Sequence, residues 1–423
     1  MKPPYPFSLR RLLSLGLSFA LASPLFARQW TDVSGKTIEA EYVSHSEFEV
    51  KLRMANGKVY DVQLSRLSQG DVEFVRSGEA GKMASAGGTD ANAEDEGTGT
   101  DEASLNWDDP WPAAVKYEGD GGIEVVSENA DTKEFIYTSE NYRFTADARL
   151  SKSVVSSFAD LFEATRLYCR TLPLAIDGGR KNDGKYDIFL FENKDDYVKA
   201  GGPPSSAGVF IGGKNIVMVP FQSLGLQKVG SGYMRDRDKS NKTLPHELAH
   251  QLTPPVYYRA GSRGWFTEGI AEYVGITPYR NGRFNVRSNI NDIKEYVCGY
   301  GEDGRGGRAI GEEITAPHLA DFMLMSYAQF TDGYAGGSTQ FNYGFGALLT
   351  TYFCHFDGEG DAARLKSFLK ALREKPRDTD PEEFLKILLD GRSYEELQEE
   401  IYRAWRSKGV KIEFKERKKG EES

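Results

Sequence analysis

His246 and His250 stand four residues apart in Thr243-Leu244-Pro245-His246-Glu247-Leu248-Ala249-His250-Gln251, with Glu247 beside the first. Residues at i and i+4 lie one above the other on the same helix face. Two imidazoles placed so can reach one metal ion at about 2.0–2.1 Å, the distance typical of zinc. A glutamate next to the first histidine aims its carboxylate at metal-bound water rather than at the ion, the placement of a general base. Thr243 is the expected cap of this helix, Pro245 is tolerated in its first turn, and Pro254-Pro255 ends it.

One loop downstream, Trp265-Phe266-Thr267-Glu268-Gly269-Ile270-Ala271-Glu272-Tyr273 reads as a helix start carrying two carboxylates one turn apart. Either can swing in as a third ligand. Two His and one Glu leave a fourth position for water, as in a catalytic zinc site. The bland alternative is an exposed helix with accidental histidine spacing. The other histidines lack a partner at ligand spacing: His318 sits at a helix start, where it caps or lies on the surface; His45 falls in a turn; His355 follows an apolar helix and packs.

Together these two segments resemble the gluzincin metallopeptidases, in which a HExxH helix is followed by a glutamate on a second helix. The nearer resemblance is to the peptidase MA-like domains of bacterial exported proteins, where Trp-x-x-Glu-Gly-x-Ala-Glu follows HExxH at about this distance. It covers roughly residues 135–405 and is sharp in 243–273 and 341–353. It implies a zincin-like fold, one zinc ion held by His246, His250 and Glu268, and Glu247 as general base. Glu272 then holds a ligand histidine from behind, since metal-bound imidazoles donate their second N–H to an acceptor. Phe341-Asn342-Tyr343-Gly344 resembles the Tyr-x-x-Gly stretch that opens a helix near the metal in these peptidases. That likeness makes Tyr343 the candidate phenol for stabilising the oxyanion, and a core or surface tyrosine is the alternative.

The elements that must position these residues follow from pattern. Strands are expected over 134–138, 142–145 and 186–192, with a hairpin pairing 209–211 with 215–220 across Gly212-Gly213-Lys214. By analogy with related folds, the strand 215–220 is an edge strand and residues 212–219 line a substrate cleft. A helix fits 152–170, with Val155, Phe158, Phe162, Thr165 and Cys169 on one face. Helices dominate the C-terminal half: one over 361–373, one opened by Asp380-Pro381, and one opened by the capping box Ser393-Tyr394-Glu395-Glu396. Strands first and helices later predict an α+β domain over 105–415, followed by a charged tail, 416–423.

Upstream, residues 28–78 read as a small all-β unit of short strands with an Asn56-Gly57 hairpin, hence an SH3-like barrel. Its Trp30, Gly35, Gly57, Leu64, Leu67, Asp71 and Phe74 resemble the first homology domain of a yeast actin-assembly protein. The module then either binds a peptide or envelope ligand or serves as a spacer. Residues 79–104 are small, polar and acidic, a flexible tether. Residues 1–27 read as a signal peptide: Lys2, Arg10 and Arg11, then the short apolar run 12–22, then small residues with cleavage after Ala22 or Ala27, the latter preferred.

Removing residues 1–27 deletes three of those basic charges and takes the formal charge from −10 to −13, which disfavours nucleic-acid partners. No later run is long and apolar enough for a stable membrane span. Cys169, Cys298 and Cys354 are too few and too scattered for a disulfide framework and read as buried free thiols. The expectation is a secreted, periplasmic or cell-envelope zinc metallopeptidase that hydrolyses a peptide or protein substrate by a Glu-activated, zinc-bound water. The alternatives are a catalytically silent peptidase-like scaffold of the envelope, or a zinc amidase acting on a non-protein amide.

Overall fold

Short alternating segments in the N-terminal region form an antiparallel meander in the computed structural model. The structure describes residues 27–32, 35–45, 49–54, 58–76, 105–119, 122–204, 206–236, 243–258, 263–286, 289–299, 307–331, 339–376 and 378–417. The chain divides into two compact units at Asp95/Glu96. In the first, β1 (Ala27–Thr31), β2 (Thr37–His45), β3 (Glu49–Arg53) and β4 (Val59–Gln63) pair in sequence order. A 3-10 turn then returns the chain to β1 through a bridge between Asp32 and Leu67. Trp30, Val50 and Leu52 are fully buried between these strands.

The unit is not all-β. After Ser68, helix α1 (Gln69–Arg76) forms and buries Val75. Ser68 Oγ accepts the Asp71 N–H, and the buried Asp71 carboxylate accepts from Arg28 and from the Thr31 N–H. With only eight residues, this helix shows too little periodicity to stand out in sequence. His45 closes β2 opposite Val50 rather than sitting in a turn. Ala27 already pairs with Glu41, so a chain beginning at Arg28 loses the first pair of that ladder and keeps four. Residues 1–26, the tether 79–104, Asn56-Gly57 and the end of the tail from 418 lie outside the described residues.

The second unit is α+β. It opens with β5 (Val115–Lys116), β6 (Glu124–Asn129), β7 (Glu134–Thr138) and β8 (Tyr142–Ala146). Helix α2 (Lys152–Thr171), capped by Ser151, crosses to β9 (Tyr186–Phe191), which is parallel to β8. Then come α3 (Lys194–Lys199), β10 (Val209–Ile211) and β11 (Ile216–Pro220). The six-stranded sheet runs β10-β11-β9-β8-β7-β6. Strand β11 starts at Ile216 because Asn215 takes φ +55° in the hairpin turn. Buried Glu163 on α2 accepts from Ser139 Oγ, Asn141 N and Asn141 Nδ2 and so fixes the β7–β8 turn. Phe144, Phe158 and Phe162 pack edge-to-face between sheet and helix.

A hairpin of β12 (Leu226–Val229) and β13 (Gly232–Arg235) leads to α4 (Thr243–Leu252) and α5 (Arg263–Ile276). Short β14 (Tyr279–Arg280) and β15 (Arg283–Phe284) join β5 in a three-stranded ribbon. Helix α6 (Asn289–Cys298) and strand β16 (Glu313–Ala316) follow. The rest is helical: α7 (Leu319–Met323), α8 (Tyr327–Thr331), α9 (Thr339–His355), α10 (Ala363–Glu374), α11 (Pro381–Leu389) and α12 (Tyr394–Arg406). Only β17 (Lys411–Phe414) interrupts this, pairing parallel with β16. Asp380 caps α11, and Ser393 with Glu396 forms the capping box of α12. The three cysteines are free; Cys169 and Cys354 are buried and Cys298 is partly exposed. No helix among the described residues is long and apolar enough to cross a membrane.

Helix α5 carries apolar residues around most of its circumference, and such a helix must be covered on those sides. Trp265, Phe266, Ile270, Ala271, Tyr273 and Val274 are all buried, between α4 on one flank and α9 on the other. The contact with α9 is closest at Gly269. A Cβ there would stand 2.6 Å from the Gly346 carbonyl oxygen and closer still to Thr350 Oγ1. Alanine in place of a helical glycine normally stabilises by about 1 kcal/mol. At this contact Gly269→Ala is expected to destabilise by about 1–3 kcal/mol through overpacking. Chemical denaturation measures the sign, and a gain in stability refutes this account of the α5–α9 contact.

Candidate metal centre

Two helices packed on each other, α4 and α5, carry the polar cluster, and α4 also lies against β10 and β11. Leu248 and Leu252 bury one side of α4, and Gln251 Nε2 donates to the Asp187 and Asn215 carbonyls, which ties α4 to β9 and to the β10–β11 turn. His246 and His250 lie towards Glu268 of α5, at the edge of the sheet that β10 forms. Thr243 is the first helical residue of α4 rather than a residue before it. The helix ends at Leu252, ahead of Pro254-Pro255.

His246, His250 and Glu268 converge. The two Nε2 atoms are 3.1 Å apart, and Glu268 Oε2 lies 3.3 Å from His246 Nε2 and 3.2 Å from His250 Nε2. A tetrahedral ion with ligands at about 2.0–2.1 Å spaces its ligand atoms about 3.3–3.4 Å apart. The triangle is thus one face of such a tetrahedron, slightly contracted. All three residues are buried, Glu268 to 1% exposure.

Each of the three has an outer partner. His246 Nδ1 is 3.0 Å from Glu272 Oε1, so Nδ1 carries the proton and Nε2 offers its lone pair. His250 Nδ1 lies 3.2 Å from Tyr258 Oη, whose own O–H donates to the His250 carbonyl at 2.8 Å. The phenol therefore accepts from Nδ1–H, and His250 Nε2 is left with a lone pair too. Tyr327 Oη donates to Glu268 Oε1 at 2.7 Å. Glu272 in turn accepts from Arg308, through Nε at 3.2 Å and through Nη2.

The electrostatics fit a bound cation. Arg308 is ion-paired with Glu272, and Glu268 faces the two imidazoles. Burial works against ionising His246, yet the hydrogen bonds it donates to Glu268 and Glu272 raise it to about 10. Burial works against ionising Glu268, and His250 and His246 hold it well below the usual carboxylate range. Burial likewise opposes charge on Glu272, which Arg308 pulls down to about 2. A positive charge is wanted where the two Nε2 atoms meet. Either a proton or a divalent metal ion supplies it, and only the metal uses all three donors at once.

Glu247 points elsewhere. Its Oε2 accepts the Phe210 N–H at 2.8 Å, and it lines a cavity of about 150 Å³ with His246, Arg308 and Tyr343. Strand β10 is therefore the edge that borders the site. The strand 216–220 expected at the edge is interior, paired on both sides by β9 and β10. Parallel pairing with β9 puts it there, and sequence does not reveal that pairing. The Phe210 ring stacks on His250 at 6.4 Å between centroids.

The structure brings His246, His250 and Glu268 together and places Glu247 and Tyr343 on the cavity beside His246. Glu268, not Glu272, joins the two histidines. Tyr343 lies with its ring stacked 6.2 Å from that of His246 and under the Arg308 guanidinium. His318 caps α7 by accepting the Ala320 N–H. His355 packs on Trp111 and hydrogen-bonds the Tyr273 hydroxyl. Sequence reasoning missed Phe210, Tyr258, Arg308 and Tyr327. None belongs to a repeating pattern; Tyr258, eight residues past His250, is brought back by the turn that Pro254-Pro255 makes.

Residues 21–83 match the family model of SHD1, the SLA1 homology domain 1. The N-terminal unit is thus an SH3-like module of that kind, and the match stops short of the unit that carries the histidines. No curated protein matches the chain.

Proposed function

We propose that the second unit is a zincin-like, gluzincin-type metallopeptidase domain, exported with its SHD1 module to the cell envelope or beyond. The observation that carries this reading is the triangle of His246 Nε2, His250 Nε2 and Glu268 Oε2, with edges of 3.1–3.3 Å and the carboxylate of Glu247 beside it on the same cavity as His246. Residues 1–27, basic then apolar, support export.

His246, His250 and Glu268 hold one zinc ion, and Glu272, Tyr258 and Tyr327 keep them aligned. When bound, zinc supplies Lewis-acid chemistry that polarises a carbonyl and makes water nucleophilic near neutral pH. Glu247 takes the proton of the attacking water and delivers it to the leaving nitrogen. Its hydrogen bond from Phe210 N holds the carboxylate at the edge of β10, where an extended peptide lies within reach of added-strand pairing. Tyr343 donates to the oxygen that gains negative charge.

The test is metal content. The purified protein is expected to carry about one zinc per chain, as the one such cluster among the described residues implies, and His246→Ala to carry almost none. Equal metal in both proteins sinks the site. A silent scaffold or a non-protein amide as substrate remains the competing reading. Cleavage of casein and quenched peptides against cleavage of peptidoglycan fragments separates these from peptidase activity.

A further inference from the structure

We infer that Tyr327 is a positioning residue that keeps Glu268 a one-oxygen ligand; the inference rests on the metal reading above. A carboxylate has two equivalent oxygens, and an unrestrained one can chelate with both. In this site Oε2 completes the triangle with the two imidazoles, at 3.3 and 3.2 Å. Oε1 is turned to the other side and accepts the Tyr327 hydroxyl at 2.7 Å. Among the described residues that phenol is the donor to Oε1. Glu268 is 1% exposed, so without Tyr327 the buried Oε1 loses a strong, charge-assisted bond. The nearest compensation is the cation itself. Binding through both oxygens would then fill the space needed by water and substrate.

The device is local. Tyr327 is the first residue of the short helix α8, 59 residues from Glu268 in sequence, and its side chain is partly exposed. It also completes a set, because each ligand now has a partner of different chemistry. His246 has the carboxylate of Glu272, His250 has the phenol of Tyr258 as acceptor, and Glu268 has the phenol of Tyr327 as donor. Tyr327 alone of these partners controls how many atoms a ligand presents.

The experiment uses the full chain loaded with cobalt(II), whose visible absorption is strong when four-coordinate and weak when five- or six-coordinate. It compares the wild type with Tyr327→Phe, and with Tyr327→Leu in case the first variant folds poorly. Zinc affinity is read in parallel by competition with a chromophoric chelator. Loss of the outer partner is expected to weaken zinc binding about 10- to 100-fold and to reduce and shift the cobalt bands. Wild-type affinity and an unchanged spectrum in a folded variant overturn the role of Tyr327 while leaving the metal site intact. No cobalt spectrum in the wild type overturns the metal reading and this inference with it.

Discussion

Glu247→Gln is expected to lower peptide hydrolysis by roughly 10²- to 10⁴-fold, the usual contribution of a general base, with zinc content unchanged. The substitution is close to isosteric. Its amide oxygen can still accept the Phe210 N–H that Glu247 Oε2 accepts at 2.8 Å, so the side chain keeps its place. What it loses is basicity. Glu247 is also not one of the three converging donors, so a lost rate with zinc content unchanged cannot be put down to metal loss. A quenched-peptide assay on both proteins, with zinc measured on the same samples, makes the comparison. Equal rates would remove Glu247 from the mechanism. A parallel loss of zinc would move it into the ligand set, against the geometry.

How far the site can be read without coordinates depends on the distance over which a pattern is written. His246, Glu247 and His250 fall within two helical turns, and helix geometry alone puts the two imidazoles together. Glu268 and Glu272 follow on the next helix, and their order of use tracks their place along it. Helix caps are equally local: Asp380 and Ser393 act within three residues and declare themselves. The missing parts are single side chains brought in over long separations. Arg308 reaches Glu272 across 36 residues and Tyr327 reaches Glu268 across 59. Nothing periodic marks either one. Sheet order is lost for a related reason. The hairpin of β10 and β11 is legible from its glycines, but which of the two pairs with β9 is settled by a parallel contact with no turn to announce it. The N-terminal helix α1 fails differently, because eight residues that bury a few apolar side chains look like the end of a strand unit.

The buried chain from Arg308 through Glu272 to His246 gives the largest expected change in stability. Glu272 is 3% exposed and ionised, and its charge is balanced by the guanidinium. Arg308→Met keeps much of the side-chain volume and removes the counter-charge. With the guanidinium gone the buried carboxylate keeps only His246 as a partner, and the loss is expected to approach the about 3–5 kcal/mol of a broken buried ion pair. Arg308 also donates to Gln340 and lies over the Tyr343 ring, so some of the loss is packing at the start of α9. A second substitution separates these contributions. In Arg308→Met/Glu272→Gln the uncompensated charge is gone, and replacing a buried ion pair by neutral groups is often close to neutral. The double variant is therefore expected to recover most of the stability in chemical denaturation of the metal-free protein. It is not expected to recover zinc affinity, because His246 Nδ1–H then faces an amide instead of a carboxylate, a loss of about 10- to 100-fold. Strong coupling in stability without recovery of metal binding is what this geometry requires. If the two substitutions simply add, Glu272 is not balanced by Arg308 in the folded protein, and its partner must be found elsewhere.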